Sequence, residues 1–183
     1  DNLLSLSVTI QVPPGRFVGF SASPVAPEVQ EAGVVSLNAT QAVVTLVAAP
    51  GQAMRGPKHV ADVCFTLVTP QLSDFVPVKV VSIVGRRSDG TSVGNTAGQT
   101  GRAAVVGAEP LLEAVMGTNG APLLIVYGQH GSTNRIEFKT TLDNDPGSWQ
   151  PAWEVRIPAT NLWQTISLTP TNRSGFYRAE RRE

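Results

Sequence analysis

The 183-residue sequence is poor in the side chains that support metal binding and nucleophilic catalysis. It contains one cysteine, Cys64, and two histidines, His59 and His130. A single cysteine excludes an intrachain disulfide framework, and a zinc site needs three or four ligands brought together. Cys64 lies within the apolar run VADVCFTLV. We therefore expect it to be a buried small hydrophobic residue rather than a nucleophile.

Charge is also scarce, and it is balanced. Charged residues make up 15% of the chain, and 14 basic residues match 14 acidic ones. A soluble domain carries about 25% charged residues. Without a net positive field, no nucleic-acid partner is expected. No apolar run reaches the roughly 20 residues of a membrane span, so no span is expected in this segment.

The remaining composition favours an exported β-protein. Thr, Ser, Gly, Pro and Val are abundant, which is common among secreted and cell-surface β-proteins. The opening residues, DNLLSLSVTI, already follow a strand pattern and lack the basic, apolar and small-residue order of a signal peptide. We expect a segment of a longer secreted or cell-surface protein, with its signal peptide and neighbouring domains outside this sequence.

Period-two alternation dominates residues 1–108. The first run alternates apolar residues (Leu4, Leu6, Val8, Ile10, Val12) with polar ones (Ser5, Ser7, Thr9, Gln11). Such alternation is typical of a half-buried strand. Further short apolar runs follow, each bounded by Gly, Pro, Asn or Asp. The pattern predicts about seven strands and an immunoglobulin-like antiparallel β-sandwich.

A second module is predicted over residues 109–183. PLLEAVMG and APLLIVYG flank TNG, and Asn119-Gly120 is a strong hairpin dipeptide. One helical turn at LLEAV is the alternative. RIEFKTTL, AWEVRIP, QTISLT and GFYRAER are again strand-like. All three tryptophans lie in this part, so aromatic usage changes near residue 110. We predict a small second antiparallel β module.

The glycine-rich stretch GRRSDGTSVGNTAGQTGR, residues 85–102, is the one segment that suggests a phosphate loop. A phosphate loop joins a strand to a helix and closes with Lys and then Ser or Thr. Here no Lys follows the glycines, and the next segment, RAAVVG, is strand-like. The stretch is therefore predicted to be a long connection between strands, with Arg86, Arg87 and Arg102 as surface or inter-module contacts.

We expect no enzyme activity. GTSVG at residues 90–94 matches the letters of GxSxG, but the segment that follows, RAAVVG, is strand-like, whereas a nucleophile elbow leads from a strand into a helix. His130 lies in YGQHGSTN on a predicted turn, where a solvated imidazole is the ordinary outcome. We expect no cofactor, with calcium as the one exception to consider. Asp143 and Asp145 lie on the oxygen-rich turn LDNDPGSW and are candidate calcium ligands, although Asp and Asn are also ordinary turn residues.

The aromatic residues of the second module suggest a carbohydrate site. Sugar-binding modules stack pyranose rings on exposed Trp and Tyr. Trp149 and Trp163 flank predicted turns and, with Tyr127, are the candidate platform residues. The competing interpretation is that a module this small packs its aromatics inside. Trp153 shares the parity of Val155 and Ile157 and is predicted to be core.

Longer segments resemble known families. AVVTLVAAPGQAMRGPKHVADVCFTLV and the region after it resemble the later half of a cohesin-type sandwich. NRIEFKTTLDNDPGSW and GFYRAER are similar to a small β module, with a YRIEYSTDL…W core and a terminal FYR, that ends many large exported bacterial proteins. The resemblance covers roughly residues 40–182. It implies a cohesin-like sandwich followed by that module.

The function implied is that of a non-catalytic module. We expect a structural or interaction part of a secreted or cell-surface bacterial protein, acting in scaffolding, adhesion or protein docking. The alternative is a carbohydrate-binding module that uses the aromatics of the second part. The expected partner is accordingly another protein or a polysaccharide.

Overall fold

The computed structural model describes residues 2–93, 97–141, 148–168 and 175–182, and these ranges contain fourteen strands and no α-helix. Nine strand pairs of the described residues have a defined register, and all nine are antiparallel. The prediction of an all-β fold of the sandwich type is confirmed. The chain divides into two compact units, one of Asp1–Thr69 with Phe75–Ala103 and one of Pro70–Asp74 with Ala104–Glu183.

The first unit consists of a six-stranded sheet and a two-stranded sheet. Its strands are β1 (Leu3–Gln11), β2 (Phe17–Pro24), β3 (Val29–Asn38), β4 (Gln41–Ala48), β5 (Ala61–Leu67), β6 (Asp74–Arg87), β7 (Ser92–Val93) and β8 (Gly101–Val105). The first residue of β6, Asp74, and the last two of β8, Ala104 and Val105, are assigned to the second unit. The large sheet has the order β3-β4-β1-β6-β7, with β8 also paired to β6, and the small sheet is β2-β5.

From Ser5 onward the residues of the first run divide between two faces, as their period requires. Leu4 departs from the predicted pattern: it is 38% exposed, and Leu3 packs against the core, where the register shifts between Leu3 and Ser5. Ile10 is buried in the core of the first unit, and Leu6 and Val8 pack against it. Val44 and Leu46 of β4 join them, and Phe20 and Phe65 approach from the small sheet. The polar residues of β1 consequently lie on the opposite face.

Strands flank the glycine-rich stretch on both sides, as predicted. β6 extends into it as far as Arg87, and β7 folds back to pair Gly85 with Val93. Gly90 has a φ of 80° at the turn, a conformation that glycine adopts without steric cost. The carboxylate of Asp89 accepts hydrogen bonds from the Thr91 hydroxyl and amide at 2.6 and 2.9 Å. These bonds, the hydroxyl first, lower the pKa of Asp89.

The second unit contains two three-stranded sheets that enclose one core. Its strands are β9 (Leu111–Met116), β10 (Pro122–Tyr127), β11 (Thr133–Lys139), β12 (Gln150–Arg156), β13 (Trp163–Ser167) and β14 (Phe176–Arg182). The sheets have the orders β13-β10-β9 and β12-β11-β14. The core residues are Leu124, Val126, Ile136, Val155 and Ile157. The predicted β9–β10 hairpin is confirmed, with Gly120 at a φ of 76° in its turn.

The prediction for Cys64 is wrong, because its thiol side chain is exposed. Val63 and Phe65, its neighbours on β5, both pack against the core of the first unit. Since successive side chains of a strand point to opposite faces, Cys64 projects outward. The surrounding run is mostly apolar, so its composition did not show which of its side chains point outward.

Candidate functional site

Two of the three candidate sugar-binding aromatics are neighbours in the structure. Tyr127 at the end of β10 is the register partner of Trp163 at the start of β13. Both side chains project from the side of their sheet that is opposite to the buried Val126. Trp163 is 47% exposed. The hydroxyl of Tyr127 donates a hydrogen bond to Glu113 Oε2 at 2.9 Å, which holds the phenol ring in place beside the indole.

Trp149, the third candidate, lies elsewhere. Its ring contacts the guanidinium of Arg178 at 4.7 Å and the ammonium of Lys139 at 5.5 Å, measured to a ring centroid. Both cations project from the side of the β12-β11-β14 sheet that faces away from the core. This is the other sheet of the second unit. The structure therefore does not bring Trp149 together with Tyr127 and Trp163. Its cation–π contacts give it a structural role.

Beneath Trp149 lies a cluster of charges that the sequence did not reveal. Glu137 is 4% exposed and Lys139 is 4% exposed, although both occupy outward positions of β11. Arg178 of β14 reaches Glu137 Oε2 at 2.6 Å, and Arg135 Nε lies 3.1 Å from Oε1. Glu180 lies 3.1 Å from the same Arg178. Arg178 and Glu137 thus pair across adjacent strands, and the other two ion pairs join residues of the same strand.

Trp153 takes the core position that its parity predicted. It packs against the core of the second unit, and its ring stacks on Tyr177 with centroids 5.9 Å apart. Asp143 and Asp145, the candidate calcium ligands, lie outside the described residues. Among the residues that the structure describes, no group of three or more His, Cys, Asp or Glu side chains is placed to hold a metal.

Two acid–base pairs are described in the first unit, Glu28 with Lys58 and His59 with Asp62. Glu28, which is buried, accepts a hydrogen bond from Lys58, and this bond is the main reason that the pKa of Glu28 lies below its ordinary value. His59 Nε2 lies 2.8 Å from Asp62 Oδ1, and both side chains are more than half exposed. His130 is also exposed, on the turn where the sequence placed it. The histidines are therefore surface residues.

The outer face of the six-stranded sheet carries mainly uncharged side chains. We define the outer face by the uncharged residues that strand register places on this side of the sheet. They are Gly33 and Val35 of β3, Val43, Thr45 and Val47 of β4, Ser5, Ser7 and Thr9 of β1, and Ser82 and Val84 of β6. Val35 is 63% exposed and Val84 is 45% exposed. In the described part of this face, the charged side chains are Glu31, Lys79 and Arg86, and they lie near the ends of the paired segments.

No family model matches this chain, and no curated protein matches its sequence. None of the described residues forms a helix long and apolar enough to cross a membrane. The architecture by itself defines the class, which is an all-β protein of the sandwich type with several antiparallel sheets.

Proposed function

We propose that this chain is a non-catalytic interaction module of a secreted or cell-surface bacterial protein, and that it docks a folded protein partner on the outer face. The observation that carries the proposal is the charge distribution of that face. Its centre has only Ser, Thr, Val and Gly side chains, and its charges stand at the rim. Depletion of charge at the centre with a polar rim is the arrangement of protein–protein interfaces.

The pairing of acidic side chains supports a non-catalytic role. Glu137 is held by Arg178, Glu154 by Arg182 at 2.6 Å, and Glu28 by Lys58. A general acid or base needs a carboxyl that faces a substrate with a tuned pKa. These carboxylates instead neutralise neighbouring cations within a sheet or between strands and loops.

Replacement of Val84 by arginine is expected to weaken docking. Val84 lies on the interior strand β6, so an arginine there places a charge within the uncharged surface and leaves the sheet edge unchanged. The probes are dockerin-type modules, chosen because of the cohesin-like segments, and binding to the immobilised chain is measured by biolayer interferometry. We expect V84R to raise the Kd about 30-fold, the effect of losing roughly 2 kcal/mol at an interface.

The matched control is Val18→Arg, because Val18 is 67% exposed on β2 of the other sheet. V18R should bind as the unmodified chain does. If no dockerin-type module binds, or if V18R and V84R weaken binding equally, docking on the outer face is overturned.

Carbohydrate binding is the second candidate, and the Tyr127–Trp163 pair favours it. A cross-strand aromatic pair with an exposed indole offers a flat apolar surface for a pyranose ring. Trp149 is not part of this carbohydrate site because its ring covers Arg178 and Lys139. The site is thus smaller than the three-residue platform that the sequence suggested.

Tryptophan fluorescence tests the sugar site. Soluble polysaccharides of neutral and acidic types are titrated into the chain, and the emission of Trp163 should shift. Trp163→Ala is expected to weaken binding about tenfold, a loss of roughly 1.4 kcal/mol. Met116→Ala, at a residue that is 69% exposed on β9, serves as the control and should bind normally. A panel in which no polysaccharide alters the emission contradicts the site.

A further inference from the structure

The two-stranded sheet of the first unit has a free edge. β5 pairs with β2 from Ala61 to Leu67, and no other strand among the described residues pairs with its second side. An edge strand presents unpaired N–H and C=O groups, and proteins commonly protect it with lysine, proline or a bulge. β5 reads ADVCFTL and contains neither lysine nor proline. Its register with β2 runs without a shift from Ala61 to Thr66.

The sequence of β5 is complementary to itself in the antiparallel direction. With Cys64 on a two-fold axis, Cys64 faces Cys64 of a second copy, Val63 faces Phe65, and Asp62 faces Thr66. Each facing pair has the same parity, so apolar residues meet on the core side and polar residues meet on the solvent side. Asp62 is the only charged residue of the strand, and in this register it meets a hydroxyl rather than a second carboxylate.

The apolar contacts of β5 favour extension of the sheet. Phe65 is half-buried and contacts Phe17 and Phe20 with ring centroids 5.0 and 5.5 Å apart. Leu67, at the end of the strand, is 39% exposed. Since isolated two-stranded sheets are marginal and wider sheets are more stable, a second β5 would both satisfy the edge and cover these side chains.

From this edge we propose that two copies of the chain associate along β5. They pair antiparallel about a two-fold axis at Cys64 and form a continuous β2-β5-β5-β2 sheet. The interface is isologous, as in most homodimers, because the same strand serves both sides. The occupant of the edge is therefore a second copy of this chain, and this association is independent of docking on the outer face.

Sedimentation velocity under reducing conditions tests the dimer. The unmodified chain should show a concentration-dependent monomer–dimer equilibrium. Cys64→Lys places two ammonium groups opposite each other and should raise the dimer Kd about tenfold or more, because like charges directly opposite on paired strands are destabilising. Cys64→Ser should leave the dimer Kd unchanged. The matched control is Ser21→Lys, since Ser21 is the register partner of Cys64 on β2 and projects to the same face one strand further from the edge.

A charge exchange tests the register itself. Thr66→Asp places a carboxylate opposite Asp62 of the second copy, and we expect the dimer Kd to rise. In the double variant Asp62→Lys/Thr66→Asp, each lysine faces an aspartate, so dimerisation should recover. Circular dichroism should show that each variant retains its strand content. Recovery in the double variant distinguishes this register from every other pairing of β5, and failure to recover contradicts it.

The single cysteine provides an independent readout. Diamide takes two electrons and two protons from a pair of thiols, forming the disulfide and a hydrazine. Because the chain has only Cys64, any disulfide within the protein must join two copies. We expect oxidation to give a covalent dimer rapidly, and T66D to slow it. A chain that remains monomeric to millimolar concentration, or a dimer that C64K leaves intact, overturns the proposal.

Discussion

Replacing Ile136 by alanine should destabilise the second unit by about 3 kcal/mol, within the 2–5 kcal/mol found when isoleucine or leucine is truncated in a closed core. Ile136 has no solvent exposure, and it lies on the central strand β11 between Trp153 and Ala179. Strands on both sides restrict collapse around the missing atoms, so much of the cavity should remain. If the side chains around Ile136 relaxed into the cavity, the loss of stability would be smaller.

Urea denaturation followed by tryptophan fluorescence measures this effect. All three tryptophans of the chain belong to the second unit, so the emission reports that unit. Ile136→Val should cost about 1 kcal/mol, and Val84→Ala, at an exposed site of the first unit, should not shift the fluorescence transition. An I136A variant with an unchanged transition midpoint would mean that the second unit is not held by this core.

Replacing Arg178 by methionine should destabilise the same unit by about 2 kcal/mol. The change removes the closest partner of Glu137, a carboxylate that is 4% exposed. Removal of one member of a buried pair costs roughly 3–5 kcal/mol, because the other charge stays buried without compensation. The expected value is lower because the Arg178 side chain is 38% exposed and because Arg135 still approaches Glu137. The cation–π contact with Trp149 is lost as well.

The control and the double variant separate charge from packing. Arg182→Met breaks the pair with Glu154, in which both side chains are more than half exposed, and should cost less than about 0.5 kcal/mol. The double variant Glu137→Met/Arg178→Met should recover most of the lost stability, because it leaves no unpaired carboxylate and retains apolar volume. The same urea transition reports all three proteins. Equal losses in R178M and R182M would contradict a buried pair.

The alternation of apolar and polar residues predicted much of the local structure. It placed β1 apart from the side of Leu4, and it placed the core positions Val155 and Ile157. Glycine and asparagine placed the β9–β10 hairpin, because Asn-Gly favours the positive φ that a tight turn requires. These features depend on neighbours in the chain, and a sequence pattern reports such neighbours directly.

The candidate sites were less predictable. Glu137 and Lys139 alternate with Ile136 and Phe138 and therefore point outward, yet Arg178 pairs with Glu137 and the ring of Trp149 lies against Arg178 and Lys139. Similarly, nothing local to Trp163 revealed that Tyr127 is its register partner. Strand register is set by the whole sheet, and lateral contacts between strands cannot be obtained from the period along one strand.

The sequence by itself determined that this protein is built of β-strands, because the period of two and the turn residues act within a few positions of each other. Only the tertiary structure decided which surfaces those strands present. It set Cys64 on a free edge, left the outer face uncharged at its centre, and closed Trp149 over buried charges. Each of these depends on which strand lies beside which, and in each unit that is decided by the packing of its two sheets around its own core.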